Sequence, residues 1–532
     1  MNKKLFLFSI LFLVTALNGL AQNPKQETPS PRSNIRYNGQ PLANLTRGPY
    51  LQVVTSNSII IRWRTDTWAR TRVRYGTSPE QLNLTADDSS LVLDHEVKLT
   101  DLRPRTRYYY SIGGIRDTLQ GDMNNYFVTL PLPGTEALYR IGAFGDCGNN
   151  STNQRNVRDQ VIKYLGDDYM DAWILLGDNA YRDGEDAQYQ VNFFNIYKDN
   201  LLKKYPLYPA PGNHDYHDVE FSQAYAQRSH HVAYYKNFSM PVNGEAGGVP
   251  SHNPAFYSFD IGNIHFLSLD SYGMEEQSFR MSDTLGPQVQ WIKKDLEANK
   301  NKGWVIAYFH HPPYTMGSHN SDKESELVKI RENFIRILER YGVDLVLAGH
   351  SHLYERSKFI AGHFGAMDSF DSTKHLVSTS TGFYDGSRNS CPYIKSDNNG
   401  TVYVVAGSAG QLTFTQKTYP HKAMVYSDVT VGGAPIIEVN ANRLDLKWVA
   451  TDGKVRDKFT MMKKVNKKTT IQMQKGDSTA LTASFIGNYK WKNRKDTTRT
   501  ILVSPPVGKS TFVVRDEFSC VEDKFEVIVS RR

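Results

Sequence analysis

Cysteine is nearly missing from this chain: three residues in 532, at positions 147, 391 and 520. Three allow one bridge at most, so the fold does not rest on a disulfide framework. Cys147, beside Asp146, has the chemistry of a soft ligand, but a small buried packing residue is the expected role. A strong charge of one sign is missing too. There are 63 Lys and Arg against 55 Asp and Glu, a formal excess of eight. Spread without a long basic run, that excess gives weak attraction to anions and no case for nucleic-acid binding. After the first 21 residues, no stretch is apolar enough to cross a membrane.

Those first residues read as a secretory signal. Lys3-Lys4 are followed by an apolar run from Leu5 to Leu17 and small residues at Gly19 and Ala21, which places cleavage after Ala21. Gln22 follows the cut, where a lipid anchor would need cysteine. The expected location is therefore outside the cytoplasm, secreted or periplasmic, with no membrane span after cleavage.

At 532 residues the chain invites division into about three domains. Residues 22–43 are rich in Pro and Asn and read as a linker. From 44 to 131, segments such as Ser58-Ile59-Ile60-Ile61-Arg62-Trp63 and His95-Glu96-Val97-Lys98-Leu99 alternate with period two, which predicts an antiparallel sandwich. Residues 137–460 alternate apolar strands with helical candidates at 154–165, 287–298 and 324–340, the pattern of an α/β layered domain. Residues 466–532 return to strand alternation and predict a small β module. His265 lies inside a strand and reads as a satisfied core histidine.

The chemistry gathers where strands end. Trp173-Ile174-Leu175-Leu176 runs into Gly177-Asp178-Asn179-Ala180-Tyr181, and Tyr139–Phe144 into Gly145-Asp146-Cys147-Gly148. Trp304–Phe309 runs into His310-His311-Pro312, and Val343–Ala348 into Gly349-His350-Ser351-His352. A fifth block, Gly212-Asn213-His214-Asp215, follows Tyr208-Pro209. All carry oxygen or imidazole donors, the set that binds divalent and trivalent transition metals. In an extended strand end, His350 and His352 would point the same way, while adjacent His310 and His311 would point oppositely.

The ordered blocks GDxG, GDxxY, GNH[DE], xxxH and GHxH resemble the calcineurin-like metallophosphoesterase superfamily, and the tyrosine of the second block resembles its purple acid phosphatase branch. The resemblance spans roughly residues 44 to 460. It implies a central α/β metallophosphoesterase sandwich of two β-sheets flanked by helices. In front of it the resemblance implies an all-β fibronectin III-like sandwich, to which 99–110 is similar. The C-terminal module is weakly similar to an immunoglobulin-like fold.

Two ions are implied. The first takes Asp146, Asp178, Tyr181 and His352, a phenolate-containing set suited to Fe(III). The second takes Asp178, Asn213, His310 and His350, suited to Fe(II), Zn(II) or Mn(II). His214 and His319 are implied as catalytic, with Asp215 orienting His214. The implied activity is an acid phosphatase acting on small phosphate monoesters by in-line attack of metal-bound hydroxide, with histidine as general acid. Open alternatives are a phosphodiesterase or nucleotide hydrolase on the same core, and an adhesion protein whose phosphatase domain is inactive. His217, His230 and His231 with Tyr225, Tyr234 and Tyr235 are candidates for a pocket lining, although solvated histidines are the plainer reading. Tyr384, Arg388 and Lys395, in a long insertion at 361–400, are candidates for substrate selection, and Trp68 and Arg70 for a rim.

Overall fold

The computed structural model describes residues 36–37, 40–115, 117–396 and 398–531. The signal segment, the cleavage point after Ala21 and most of the 22–43 linker lie outside the described residues. The centre is a pair of seven-stranded sheets. In the first, Leu207–Ala210, Ala172–Leu176 and Leu138–Phe144 lie side by side and parallel. They are followed by the antiparallel strands Gly433–Asn440, Arg443–Ala450 and Val455–Lys463, and by Tyr393–Lys395. Ala172–Leu176 is buried along its whole length, which is why its sequence is an unbroken apolar run rather than an alternating one.

The second sheet holds Ile264–Ser268, Trp304–Tyr308, Leu345–Ala348 and Val402–Ala406 as parallel neighbours. Successive side chains of a strand point to opposite faces, and here both faces are covered. Phe266, Ile306, Leu347 and Val404 enter the core between the sheets. Leu267, Val305, Val346 and Tyr403 enter a second core with Val289 and Ile292 of helix Pro287–Ala298 and with Ile330 and Phe334. Tyr208 and Phe259 stack at 3.8 Å where the two sheets meet. The helix expected at 324–340 forms, but a π-helical turn, Ile330–Phe334, separates Ser325–Lys329 from Ile335–Arg340.

The N-terminal β domain is a six-stranded antiparallel sheet. Its long strand Ile59–Gly76 pairs first with Leu45–Gln52 and later with Arg107–Gly113. It docks through arginines: Arg47 and Arg64 both bind Asp186, at 2.9 and 2.5 Å, and Arg62 donates to the Lys236 carbonyl. Trp68 is 67 % exposed.

Residues 468–530 form a four-stranded and a two-stranded sheet around Phe485, Trp491 and Phe525. The 361–400 insertion divides: near His363 and Met367 it lies against the loop that carries His319, with the Tyr314 hydroxyl donating to the His363 carbonyl and Met367 N to Asp322 Oδ2 at 2.9 Å, and its later part packs at this end of the molecule, which corrects the expectation that Tyr384 and Lys395 select substrate. Cys391 is bridged to Cys520, and the Tyr384 hydroxyl donates to Asp516 at 3.0 Å. Lys395 is buried against Asp344 at 2.9 Å and donates to the Gly342 and Val343 carbonyls. Arg388 is exposed on the same segment.

His265 is fully buried, and both ring nitrogens are used: Nδ1 faces Asp260 at 2.8 Å and Nε2 faces Asp295 of helix Pro287–Ala298 at 2.6 Å. Burial alone would lower its pKa, but the two carboxylates outweigh burial and raise it to about 8. A folded-state pKa above the unfolded 6.5 gives stabilisation that is complete below about pH 6.5 and is lost as the pH rises through about 8. The rise from 6.5 to about 8 corresponds to about 2 kcal/mol. Urea unfolding at pH 6 and pH 9 is expected to show that loss in the native chain and a flatter dependence in His265→Gln; equal slopes would contradict it.

Candidate metal centre

Each candidate loop leaves the carboxyl end of a parallel strand, the edge where α/β sheets bind ligands. Asp146 follows Leu138–Phe144, Asp178 and Tyr181 follow Ala172–Leu176, and Asn213 and His214 follow Leu207–Ala210. From the second sheet, His310 follows Trp304–Tyr308, and His350 and His352 follow Leu345–Ala348. The loops are tied to one another. Asp146 N donates to the Gly177 carbonyl at 3.1 Å, Gly349 N to the His310 carbonyl at 3.0 Å, and His350 N to Asp146 Oδ2 at 2.9 Å.

Closing the loops so tightly forces unusual backbone. Asp146, Asp178 and His350 take φ of 56°, 53° and 67°, a left-handed region that costs a residue with a Cβ free energy and marks functional sites. Gly177 has φ 89°, and a Cβ there would lie 2.5 Å from His310 Nδ1. At Gly212 a Cβ would lie 2.3 Å from Asp178 Oδ1. Either position admits only glycine.

The donors form two adjoining groups. In one, the Tyr181 hydroxyl lies 2.9 Å from Asp146 Oδ1 and 3.1 Å from His352 Nε2, which is itself 3.4 Å from Asp146 Oδ1. In the other, His310 Nε2 lies 3.2 Å from His350 Nδ1. Asp178 stands between them: its Oδ2 is 3.2 Å from His310 Nε2, and its charge together with that of Asp146, added to burial, holds the Tyr181 phenol well above its usual range. Burial would raise the Asp178 carboxyl, but His310, His214 and His350 hold it well below the ordinary carboxylate range.

These residues fit a pair of metal ions on three counts. The outer nitrogen of each candidate histidine has a polar neighbour: His310 Nδ1 donates to the Leu176 carbonyl at 2.9 Å, His352 Nδ1 accepts from the Gln411 amide at 3.1 Å, and His350 Nε2 faces Glu324 Oε2 at 3.7 Å. Anchoring of this kind fixes tautomer and ring orientation in metal sites. The Leu176 carbonyl can only accept, so His310 Nδ1 carries a hydrogen, and a neutral His310 turns an Nε2 lone pair toward His350 Nδ1 and Asp178 Oδ2, where a cation would be favoured. Finally, Asn213 Oδ1 is buried with no hydrogen-bond partner among the described residues, a cost avoided if it ligates. Asp146, Asp178 and His310 present ligand atoms within 4.8 Å of one another.

Several expectations need correction. Asp215 does not orient His214: its carboxylate accepts from the Asn179 and Gly212 backbone N–H groups and from the Tyr189 hydroxyl, at 3.1, 2.7 and 2.5 Å. It braces the Gly212–His214 turn from behind, and His214 Nδ1 instead lies 2.5 Å from the Arg182 carbonyl. His311 does not point away, because the strand has already ended at Tyr308; its ring lies 4.4 Å from that of His350, and its Nδ1 meets Ser271 Oγ at 2.8 Å. His350 and His352 do converge on the site, but they address different groups, since the positive φ at His350 turns the chain out of strand geometry.

His319 stacks on His350 with centroids 3.6 Å apart. Its Nδ1 lies 2.8 Å from Glu324 Oε2, while Glu324 Oε1 accepts from Asn320 N at 2.6 Å. Burial would raise the Glu324 carboxyl, but its bonds to His319 and His350 take it far below the usual range. Sequence reasoning missed both Glu324 and Gln411. Glu324 was findable as an acid five residues after His319 at a helix start; Gln411 carries no motif. Of the loop aromatics, His217 joins Asn213, Tyr272, Glu324 and His350 around a cavity of about 260 Å³. Tyr234 is core, His231 pairs with Tyr225 at the surface, and Cys147 is buried and free.

Comparison with known proteins agrees with this geometry. Residues 139–354 match the calcineurin-like phosphoesterase model and residues 47–126 the purple acid phosphatase N-terminal domain. Purple acid phosphatase 15 of Arabidopsis thaliana is 29 % identical over 290 residues, 49 % of each chain. Probable purple acid phosphatase 20 of the same plant is 25 % identical over 422 residues, covering 76 % of this chain and 84 % of that one. The match thus spans about half of the first relative and most of the second. A purple acid phosphatase from yellow lupin seeds superposes with a TM-score of 0.56 over 79 % of this chain and 74 % of its own, at 19 % identity, a likeness of fold. The chain therefore carries a calcineurin-like metallophosphoesterase domain behind a purple acid phosphatase N-terminal domain, and the relatives it matches are purple acid phosphatases.

Asp178→Asn keeps the side-chain shape but removes the charge shared by the two groups. Elemental analysis of the purified variant is expected to fall from about two metal ions per chain to fewer than one, with the fold retained by circular dichroism. An unchanged metal content would contradict the central role of Asp178.

Proposed function

We propose that this protein is a dinuclear-metal phosphatase that hydrolyses small phosphate monoesters. The observation that carries the reading is that His310, His350 and His352, from two neighbouring strand-end loops, turn their inner nitrogens toward Asp178, toward one another and toward Asp146 respectively. In this reading Asp146, Tyr181 and His352 hold a trivalent ion, iron by virtue of the phenol. Asn213, His310 and His350 would hold a divalent one, Fe(II), Zn(II) or Mn(II), and Asp178 would be available to both. The bound pair would neutralise phosphate oxygens and supply a nucleophile near neutral pH.

The remaining work falls to side chains. The Arg182 carbonyl can only accept, so His214 Nδ1 carries a hydrogen and Nε2, 3.9 Å from Asp178 Oδ2, faces the centre. As an imidazolium, His214 delivers the Nε2 proton to the departing alkoxide oxygen. By the same logic Glu324 commits His319 Nδ1 and leaves Nε2 for a phosphate oxygen. Asp215 acts at a distance by holding the turn that presents Asn213 and His214.

The domains are read as a fibronectin III-like module at 44–131, the catalytic domain at 137–460 and an immunoglobulin-like module at 466–532, in an exported protein cleaved after Ala21. The Cys391–Cys520 bridge suits an oxidising compartment, and no helix among the described residues is long and apolar enough to cross a membrane.

Metal-replete protein is expected to turn over an aryl phosphate faster than the matching diester. His214→Ala is expected to lower kcat by roughly 10²- to 10⁴-fold with metal content unchanged; full activity in that variant would remove His214 from the mechanism. The native protein is expected to show a violet phenolate-to-iron absorption band that Tyr181→Phe abolishes. A colourless, zinc-only native protein would contradict the iron assignment while leaving hydrolysis intact.

A further inference from the structure

A second cavity, of about 470 Å³, lies on the far side of Tyr216 and Tyr272 from the metal centre. It is bounded by the segment 216–235, the loop 251–256, and the loop 270–276 that precedes helix Pro287–Ala298. Its lining pairs acids with aromatic rings. Asp270, 5 % exposed, and Glu275 lie within it, and Glu276 stands at its rim. Tyr216, Tyr235, Phe256 and Trp291 supply the apolar surface.

The acids are unequally satisfied. Asp270 Oδ2 accepts from the Tyr216 hydroxyl at 2.5 Å, and Oδ1 accepts from Tyr272 N and Gly273 N at 2.9 and 2.8 Å. Glu275 Oε2 accepts from Gln288 N at 2.7 Å, but its Oε1 is buried with no partner among the described residues. Of the bases in the lining, Arg228 donates to Ser278 Oγ at 2.7 Å, His252 Nδ1 meets Asn243 Oδ1 at 3.3 Å and the His230 ring packs on Tyr235, while Arg280 nearby donates to the Tyr272 carbonyl at 2.5 Å and to Gln227 Oε1 at 3.4 Å. Burial, and then the neighbouring Asp270, push the Glu275 carboxyl up to about 7, and burial raises Asp270 as well. A buried carboxylate oxygen without hydrogen bond or counter-charge is costly, and aromatic rings beside carboxylates attract organic cations more than neutral molecules or hydrated metal ions.

We propose that this cavity binds a small organic ammonium ion, its charge met by Glu275 and Asp270 and its carbon groups by Trp291, Tyr235 and Phe256. No group in this cavity is assigned to the metal centre, so binding here requires neither bound metal nor turnover. A failure of the phosphatase reading would leave it standing.

The test is calorimetric titration of the full chain with choline chloride and with ethylammonium chloride, at matched ionic strength. The control titrant is 3,3-dimethylbutan-1-ol, the uncharged carbon counterpart of choline. One saturable site for an ammonium salt is expected, with the neutral alcohol weaker by about tenfold or more. The salt that binds more tightly identifies a quaternary or a primary ammonium as the preferred group. Glu275→Gln, which keeps the acceptor for Gln288 N, is expected to weaken ammonium binding by about tenfold or more and to leave the alcohol unchanged. A rise in the unfolding temperature of the native chain with the ammonium salt, and not with sodium chloride, provides a measurement independent of any variant. Absence of saturable heat with both salts, equal affinity for choline and its neutral counterpart, or an unaffected Glu275→Gln would each overturn the proposal.

Discussion

The molecule is organised around a buried cluster of carboxylates and imidazoles that five loops bring to one place. Asp146, Asp178 and His310 are each 2 % exposed or less, and the hydrogen on the outer nitrogen of His310 is committed to the Leu176 carbonyl. A buried acceptor without a donor costs about 1–3 kcal/mol, and Asn179 Oδ1 and Asn213 Oδ1 are two such atoms in the loops of this cluster. A positive centre would remove that cost at Asn213 and offset the charge of the gathered carboxylates. The local costs of the site, namely three non-glycine residues at positive φ and glycines pressed against His310 and Asp178, are then costs of bringing the donors to that centre.

The scaffold withstands those costs because it is packed on all sides. Strands that carry ligand loops are buried on both faces, so the loops extend from rigid ends rather than from exposed edges. The loop holding His319 is clamped from below by Arg331, which is 1 % exposed, donates to the Ser321 carbonyl and pairs with Asp322 at 3.1 Å. The turn holding Asn213 is braced by Asp215, which Tyr189 in turn supports from the π-helical segment Tyr189–Phe194. The N-terminal domain grips Asp186 at the start of that helical stretch, and so couples to the site through packing without supplying a ligand.

The parts legible in the sequence were those with a strong local signature. Unbroken apolar runs such as Trp173–Leu176 ended in glycine and a donor, and that pattern identified the buried strands and the five loops together. The same reasoning failed where strand geometry was carried past the strand. His311 was expected to point away from His310, and the pairing of His350 with His352 was explained by a period of two, although the chain had already left the extended region. Asp215 was misassigned because adjacency to His214 suggested contact, whereas the turn sends the two side chains to opposite sides of the backbone. Glu324, Gln411 and the Leu176 carbonyl act on histidines far away in sequence or through the main chain, and no motif could announce them. The insertion at 361–400 resembled a substrate loop because it was long and irregular, and only the bridge from Cys391 to Cys520 shows that its later part serves the C-terminal strands.

The most direct test of the account is metal-edge X-ray absorption combined with anomalous diffraction on the metal-loaded protein. Two ions about 3.5 to 4 Å apart, with Asp178 shared between them and His310, His350 and His352 bound through their inner nitrogens, is the predicted result. A single ion, or ions bound away from Asp178, would contradict it.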